Sequence, residues 1–183
     1  MNYSVFEIDL ETNYKFLMNQ NTSTNDLKIV IRKAQNEDMP FFEKLYFETR
    51  KDEFALLGWA AVTLENLLKM QFNVQNQGYR MQFPDARFFL IEVNNAAVGR
   101  LITTDEIRLV DIALLPDSRN LGIGSFVLDG LLKQAEEKKK SVFLQVLKTN
   151  VSAFRLYKRF GFKVIGEDDL YLSMERKNSS AEN

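Results

Sequence analysis

The stretch PDSRNLGIGSFVLDGLL, residues 116–132, holds the residues of this chain best suited to binding an anion. Gly122 and Gly124 close an arginine-led turn and open a segment of helical periodicity. Glycine at a strand-to-helix junction lets backbone N–H groups approach a phosphate closely, and a helix N-terminus favours negative charge. Two familiar phosphate loops do not fit. A Walker A loop carries a lysine directly after its last glycine, and none stands there. A Rossmann fingerprint needs a small residue where Val127 stands, and an acidic residue ending the next strand, where Lys148 stands. What remains is R-x-x-G-x-G, read on Arg119, Gly122 and Gly124. Taken alone, it also fits a turn that merely ends a strand.

Two absences narrow the chemistry. The chain has no cysteine and no histidine. Disulfides, thiolate metal sites, cysteine nucleophiles and a Ser-His-Asp triad are therefore excluded, and no metal is expected. Acid–base work falls to carboxylate, tyrosine, lysine, water or backbone. A net charge of −1 offers nothing to nucleic acid or to an acidic membrane. The start, MNYSVFEIDLETNYKFL, lacks the basic end and apolar core of a signal peptide. No apolar run approaches the ~20 residues of a membrane helix, so a cytoplasmic protein is expected.

The elements that must carry the loop follow from periodicity. At 183 residues, with 45% hydrophobic, the chain suits one domain with a substantial core. Residues 1–26 read as an accessory arm and polar linker, 27–176 as the domain, and 177–183 as a disordered tail. LKIVIRKA alternates as a strand; Pro40 then opens the helix PFFEKLYFETRKDEF. TLENLLKMQFNVQNQGYRMQF forms a second helix. ARFFLIEV and VGRLITTD are strands joined by a tight turn at NNAA.

In the next strand, EIRLVDIALL, apolar residues fall at Ile107 and Leu109 and then change phase to Val110, Ile112 and Leu114. One extra residue, a β-bulge, produces such a fault; a strand buried on both faces is the other reading. A helix from Gly124 to Lys140 follows, then the strand SVFLQVL and the helix SAFRLYKRF, capped by Asn150 or Thr149 and stopped at Gly161. FKVIGE and LYLSMER close the chain as a pair of strands, completing a mixed α/β domain.

The stretch from Ile107 to Phe162 resembles the GNAT superfamily of N-acetyltransferases. VDIALLPDSRNLGIG resembles that family's acetyl-CoA pyrophosphate loop, and NVSAFRLYKRFGF its Asn…Ala…Leu-Tyr…Gly-Phe segment. Asn120 departs from the glycine many relatives carry, but asparagine tolerates left-handed backbone angles. The resemblance implies the GNAT (acyl-CoA N-acyltransferase) fold: a mixed central sheet with a splayed, bulged strand and flanking helices. It implies acetyl-CoA as cosubstrate and direct transfer to an amine, of a small molecule or a protein, within a ternary complex. The N–H groups of Arg119, Asn120, Leu121, Gly122, Gly124 and Ser125 would hold the pyrophosphate. The backbone of Ile112 and Leu114 would pair with pantetheine, and Asn150, Ala153 and Tyr157 would line the coenzyme. Arg155, Lys158 or Arg159 either reach the 3′-phosphate or form a solvated basic face.

Tyr157 matches the family's general acid, with a core aromatic as its bland reading. For the base, Asp111 stands beside the commoner positions, which Arg108 and Val110 occupy; an Arg108–Asp111 ion pair and a water relay stay open. Trp59, Phe72, Tyr79 and Phe83 either line an acceptor cleft or belong to the core. A non-catalytic acyl-CoA-binding module and an interaction protein are the rival functions, and a monomer or a homodimer fits equally.

Overall fold

The computed structural model describes residues 28–178 and, ahead of them, the backbone of two short strands, β1 (Ile8–Asp9) and β2 (Asn13–Tyr14), which pair antiparallel. The rest of the arm and linker assigned to 1–26, and the tail from 179 onward, lie outside the described residues. Asn178 is buried and its Nδ2 donates to the Ala135 carbonyl at 3.2 Å, which fastens the chain beyond residue 176.

From β3 (Ile29–Lys33) the chain passes through a 3-10 turn (Asn36–Asp38) into α1 (Met39–Arg50), whose start carries Pro40. Helical periodicity extends this helix to Phe54, but α1 stops at Arg50 and tightens into a 3-10 segment, Lys51–Leu57, ended by Gly58 at φ 63°. The tighter winding lets Phe54 pack against the cluster of Phe42, Tyr46, Leu68 and Phe72. α2 (Ala61–Gln82) follows, then the hairpin β4 (Arg87–Val93) and β5 (Ala96–Thr103). Asn94 and Asn95 turn this hairpin at φ 51° and 65°, the left-handed pair that matches the twist of the flanking strands.

β6 (Arg108–Leu114), a 3-10 turn (Pro116–Ser118), α3 (Ile123–Glu137), β7 (Val142–Leu147), α4 (Val151–Arg159), β8 (Lys163–Glu167) and β9 (Tyr171–Arg176) complete the chain. The seven main strands form one sheet in the order β3-β4-β5-β6-β7-β9-β8. Only β6 and β7 run parallel, joined by the α3 crossover.

The phase fault in EIRLVDIALL is a bulge. Ile102 pairs with Asp111 and the adjacent Thr103 with Leu109, so Val110 is the extra residue. Leu109 therefore joins Ile112 and Leu114 on the face packed by α3 and α4, with Val127, Leu128, Leu144 and Phe162. Asp111 turns to the opposite face, where α1 and α2 pack through Phe42, Tyr46, Leu68 and Phe72 on Leu90.

Gly99 sits opposite Leu114 at the far end of this strand pair. A Cβ there would lie 2.5 Å from both the Ala113 carbonyl oxygen and Leu114 Cδ2. A backbone oxygen cannot step aside as a side-chain tip can. Gly99→Ala should therefore cost about 1–3 kcal/mol, an overpacking penalty. Urea unfolding measures it, and an unchanged midpoint would show that the β5–β6 pair yields freely.

Candidate active site

β6 and β7 share a ladder only at Arg108↔Phe143 and Leu109↔Leu144, with Phe143 N donating to the Ile107 carbonyl at 3.4 Å. Past the bulge they part, while β7 stays paired to β9 along all its length. Leu115 N donates to Val98 of β5, so residues 115, 113 and 111 direct their backbone groups to β5. Alternation then aims those of Ile112 and Leu114 into the gap. These are the two positions expected to meet an extended ligand arm. The Leu114 carbonyl accepts a hydrogen bond from Arg119 Nε at 3.3 Å, which lays this guanidinium along the mouth of the gap.

The glycine loop ends at that mouth. Asn120 at φ 62° and Gly122 at φ 81° are left-handed, and asparagine fills the first position as its tolerance allows. Phe126 N makes the first bond of α3, to the Gly122 carbonyl, and no side chain caps the helix. The N–H groups of Gly122, Ile123, Gly124 and Ser125 thus have no acceptor within the helix and stand at its positive end. Leu121 is exposed beside them. Gly124 faces elsewhere: a Cβ there would meet Leu156 Cδ2 of α4 at the ordinary contact distance of 3.4 Å. Ser125 Oγ accepts from Arg159 Nη2 at 3.1 Å, which brings one guanidinium of α4 beside the loop.

Asn150 caps α4, its Oδ1 accepting from Ala153 N at 3.1 Å, and Gly161 ends the helix at φ 83°. Tyr157 is buried, with its ring 5.8 Å from Phe162 in an edge-on arrangement. Among the described residues no hydrogen bond engages its hydroxyl. Burial first, and the Asp111 charge second, push its pKa up to about 12. It therefore holds its proton throughout the neutral range.

Asp111 does not pair with Arg108. Its Oδ2 accepts from Arg100 Nε at 3.0 Å and Nη2 at 2.6 Å, and Arg100 is almost fully buried. Arg108 does share that face, as the bulge requires, but its guanidinium lies 5.9 Å from the rings of Phe83 and Phe143. Strand register decides between the two arginines. Both Arg100 bonds fall on Oδ2. Breaking such a buried pair by removing one partner costs about 3–5 kcal/mol.

Tyr79 of α2 lies by the same pair, and burial, aided by the Asp111 charge, raises its pKa. Of the other candidate cleft aromatics, Phe72 belongs to the core and Trp59 is exposed against Phe54. Arg100 is the residue that pattern reading missed. Its signal was present: one charged side chain inside the apolar strand segment Val98–Ile102. No cluster of potential metal ligands occurs among the described residues, and none of their helices is long and apolar enough to cross a membrane.

A splayed parallel pair with a bare helix N-terminus at its mouth defines the class of fold, and comparison supplies the family. The profile of the acetyltransferase (GNAT) family matches residues 31–162. The ribosomal protein bS18-alanine N-acetyltransferase of Haemophilus influenzae is 33% identical over 128 residues, 68% of this chain and 76% of that protein. An N-alpha-acetyltransferase of Sulfurisphaera tokodaii is 32% identical over 98 residues, 44% of this chain and 59% of its own length. In fold, the chain resembles the PaiA N-acetyltransferase of Thermoplasma acidophilum, solved in complex with coenzyme A: TM-score 0.62, 24% identity, 81% of this chain and 98% of that one. The chain belongs to the GNAT family. It is an N-acetyltransferase, with acetyl-CoA as acetyl donor and an amine as acceptor.

The loop geometry generates one prediction. At φ 81°, Gly122→Val should cost about 1–2 kcal/mol from the left-handed backbone alone. Its branched side chain should also obstruct the N–H cluster, so acetyl-CoA affinity should fall by more than stability does. Calorimetric titration of the folded variant checks this, and unchanged affinity would make the loop a simple turn.

Proposed function

We propose that this chain transfers the acetyl group directly, in a ternary complex, with the coenzyme on the α3–α4 side of the sheet and the amine on the α1–α2 side. The single observation that carries this reading is the gap between β6 and β7. It presents the backbone of Ile112 and Leu114, turned away from β5, with Arg119 Nε on the Leu114 carbonyl, and leads to the uncapped start of α3. Pantetheine has the length and amide spacing to continue a sheet edge, and a pyrophosphate matches a helix N-terminus. Arg119, Asn120, Leu121, Gly122, Gly124 and Ser125 hold the pyrophosphate, with Arg159 beside Ser125 as a further cation. Asn150, its Oδ1 engaged in the cap, offers its amide nitrogen as a donor. Ala153 supplies a small surface next to it.

The bound thioester supplies an activated acetyl carbonyl. The amine nitrogen forms a bond to that carbonyl carbon, the C–S bond breaks, and sulfur leaves with the bonding pair. Tyr157 gives its proton to that sulfur, and its raised pKa keeps the proton available until then. The proton lost by the amine passes to Asp111 through Oδ1, the oxygen that Arg100 leaves open, or to water. An α-amine at a protein N-terminus is the acceptor favoured here. The names of the two relatives above 30% identity support that choice.

Two measurements test the reading. Acetyl-CoA should raise the melting temperature, by a stabilisation of ~2.7 kcal/mol at a hundredfold excess over Kd. No shift at millimolar acetyl-CoA would overturn the coenzyme site. Tyr157→Phe removes a hydroxyl with no hydrogen-bond partner among the described residues, so stability should change by less than about 1.5 kcal/mol. If that hydroxyl protonates the leaving sulfur, kcat should drop roughly 10²–10⁴-fold where chemistry limits the rate. A variant with wild-type turnover would return Tyr157 to the core.

A further inference from the structure

The two halves of α2 are held to the sheet by different forces. Leu68 and Phe72, its buried residues, both lie ahead of Asn73. From Asn73 to Gln82 no residue is fully buried, Tyr79 being half-buried, and Val74 and Met81 face solvent. This half rests on guanidinium groups. Arg100 Nη2 donates to Gln75 Oε1 at 3.2 Å and Nη1 to Asn76 Oδ1 at 3.3 Å. The same guanidinium lies 5.8 Å from the Tyr79 ring and 5.9 Å from Phe42 of α1. Arg108 meets Phe83 just past the helix, and Arg80 lies 5.0 Å from Phe88 of β4.

One buried side chain on β5 thus fixes the Asp111 carboxylate, the second half of α2, and a ring of α1. Every one of these partners stands on the α1–α2 face. None belongs to the loop, to α3 or to α4.

We propose that Arg100 is a positioning residue for the acceptor: its fork sets the spacing between α2 and β6, and so the width of the cleft the amine enters. This rests on the placement of the amine proposed above. A planar fork satisfies a carboxylate and two amides at once, which an ammonium group cannot do in the same geometry. The clamp is one-sided, so its loss separates the two substrates. Acceptor KM rises while acetyl-CoA affinity holds.

The experiment compares wild type with Arg100→Lys and with the double variant Gln75→Ala/Asn76→Ala. The double variant releases the clamp from α2 and leaves the Arg100–Asp111 pair intact. Its positions are only partly buried, so it carries the test should Arg100→Lys fail to fold. Kinetics use a short peptide with a free N-terminal alanine, binding is read by calorimetry with acetyl-CoA, and amide hydrogen exchange is followed across 73–83. Losing the two hydrogen bonds from the guanidinium to the Gln75 and Asn76 amides should raise peptide KM about tenfold, with kcat changed less. Exchange should quicken across 73–83 but not in α3 or β7, a readout that needs no turnover. Acetyl-CoA affinity that falls while peptide KM rises, or exchange over 73–83 that stays at the wild-type rate, overturns the proposal. Wild type that binds no acetyl-CoA would instead overturn the underlying placement of substrates.

Discussion

A single inserted residue, Val110, governs the architecture of this site. β6 must remain in register with β5, whose partners it keeps from Leu109 to Leu114. It must also leave β7 after two residues, although both strands are anchored at the same end. A bulge meets both demands, because the extra residue bends the strand and increases its twist locally. The gap that results exposes backbone donors and acceptors inside an otherwise continuous sheet. Backbone groups in such a position are satisfied by water or by a ligand. The α3 crossover then delivers its uncapped N-terminus to the same place.

The bulge also sorts side chains. Before it, Leu109 faces the α3–α4 cluster; after it, Ile112 and Leu114 do. Were the same residues to form a regular strand with no bulge, Asp111 would share that apolar face with Leu109, where a carboxylate is costly. With it, Asp111 crosses to the α1–α2 side and meets Arg100. The same shift that opens a slot for an extended arm therefore sets a carboxylate on the other face of the sheet. Coenzyme recognition by backbone and acceptor recognition by side chains are separated by one strand.

Electrostatics link the two faces. The Asp111 charge contributes to the raised pKa of Tyr157 on α4 and of Tyr79 on α2, second in each case to burial. One ion pair thus lies under both tyrosines. Arg100 opposes the Asp111 effect at Tyr79, which leaves burial in command there. The site holds its phenols protonated by excluding water more than by any single charge.

Much of this was legible in short stretches of chain. The Asn94–Asn95 turn, the Gly122 junction, the Asn150 cap and the Gly161 stop are local choices of φ and of hydrogen bonding, written in residues a few positions apart. The phase fault around Val110 was equally readable, since alternation has a period of two and any insertion breaks it. Where α1 gives way to a 3-10 segment was not legible, because the change serves Phe54's contact with a cluster built partly by α2. Nor was the partner of Asp111. Arg108 is near in sequence and shares its face, whereas Arg100 reaches it only because antiparallel register lays β5 beside β6. Sequence by itself located most elements, the turn and stop residues and the phase fault in the strand, because those signals depend on neighbours along the chain. Tertiary structure alone decided which charges meet and what α2 rests on, because strand register and helix docking join residues that the chain keeps apart.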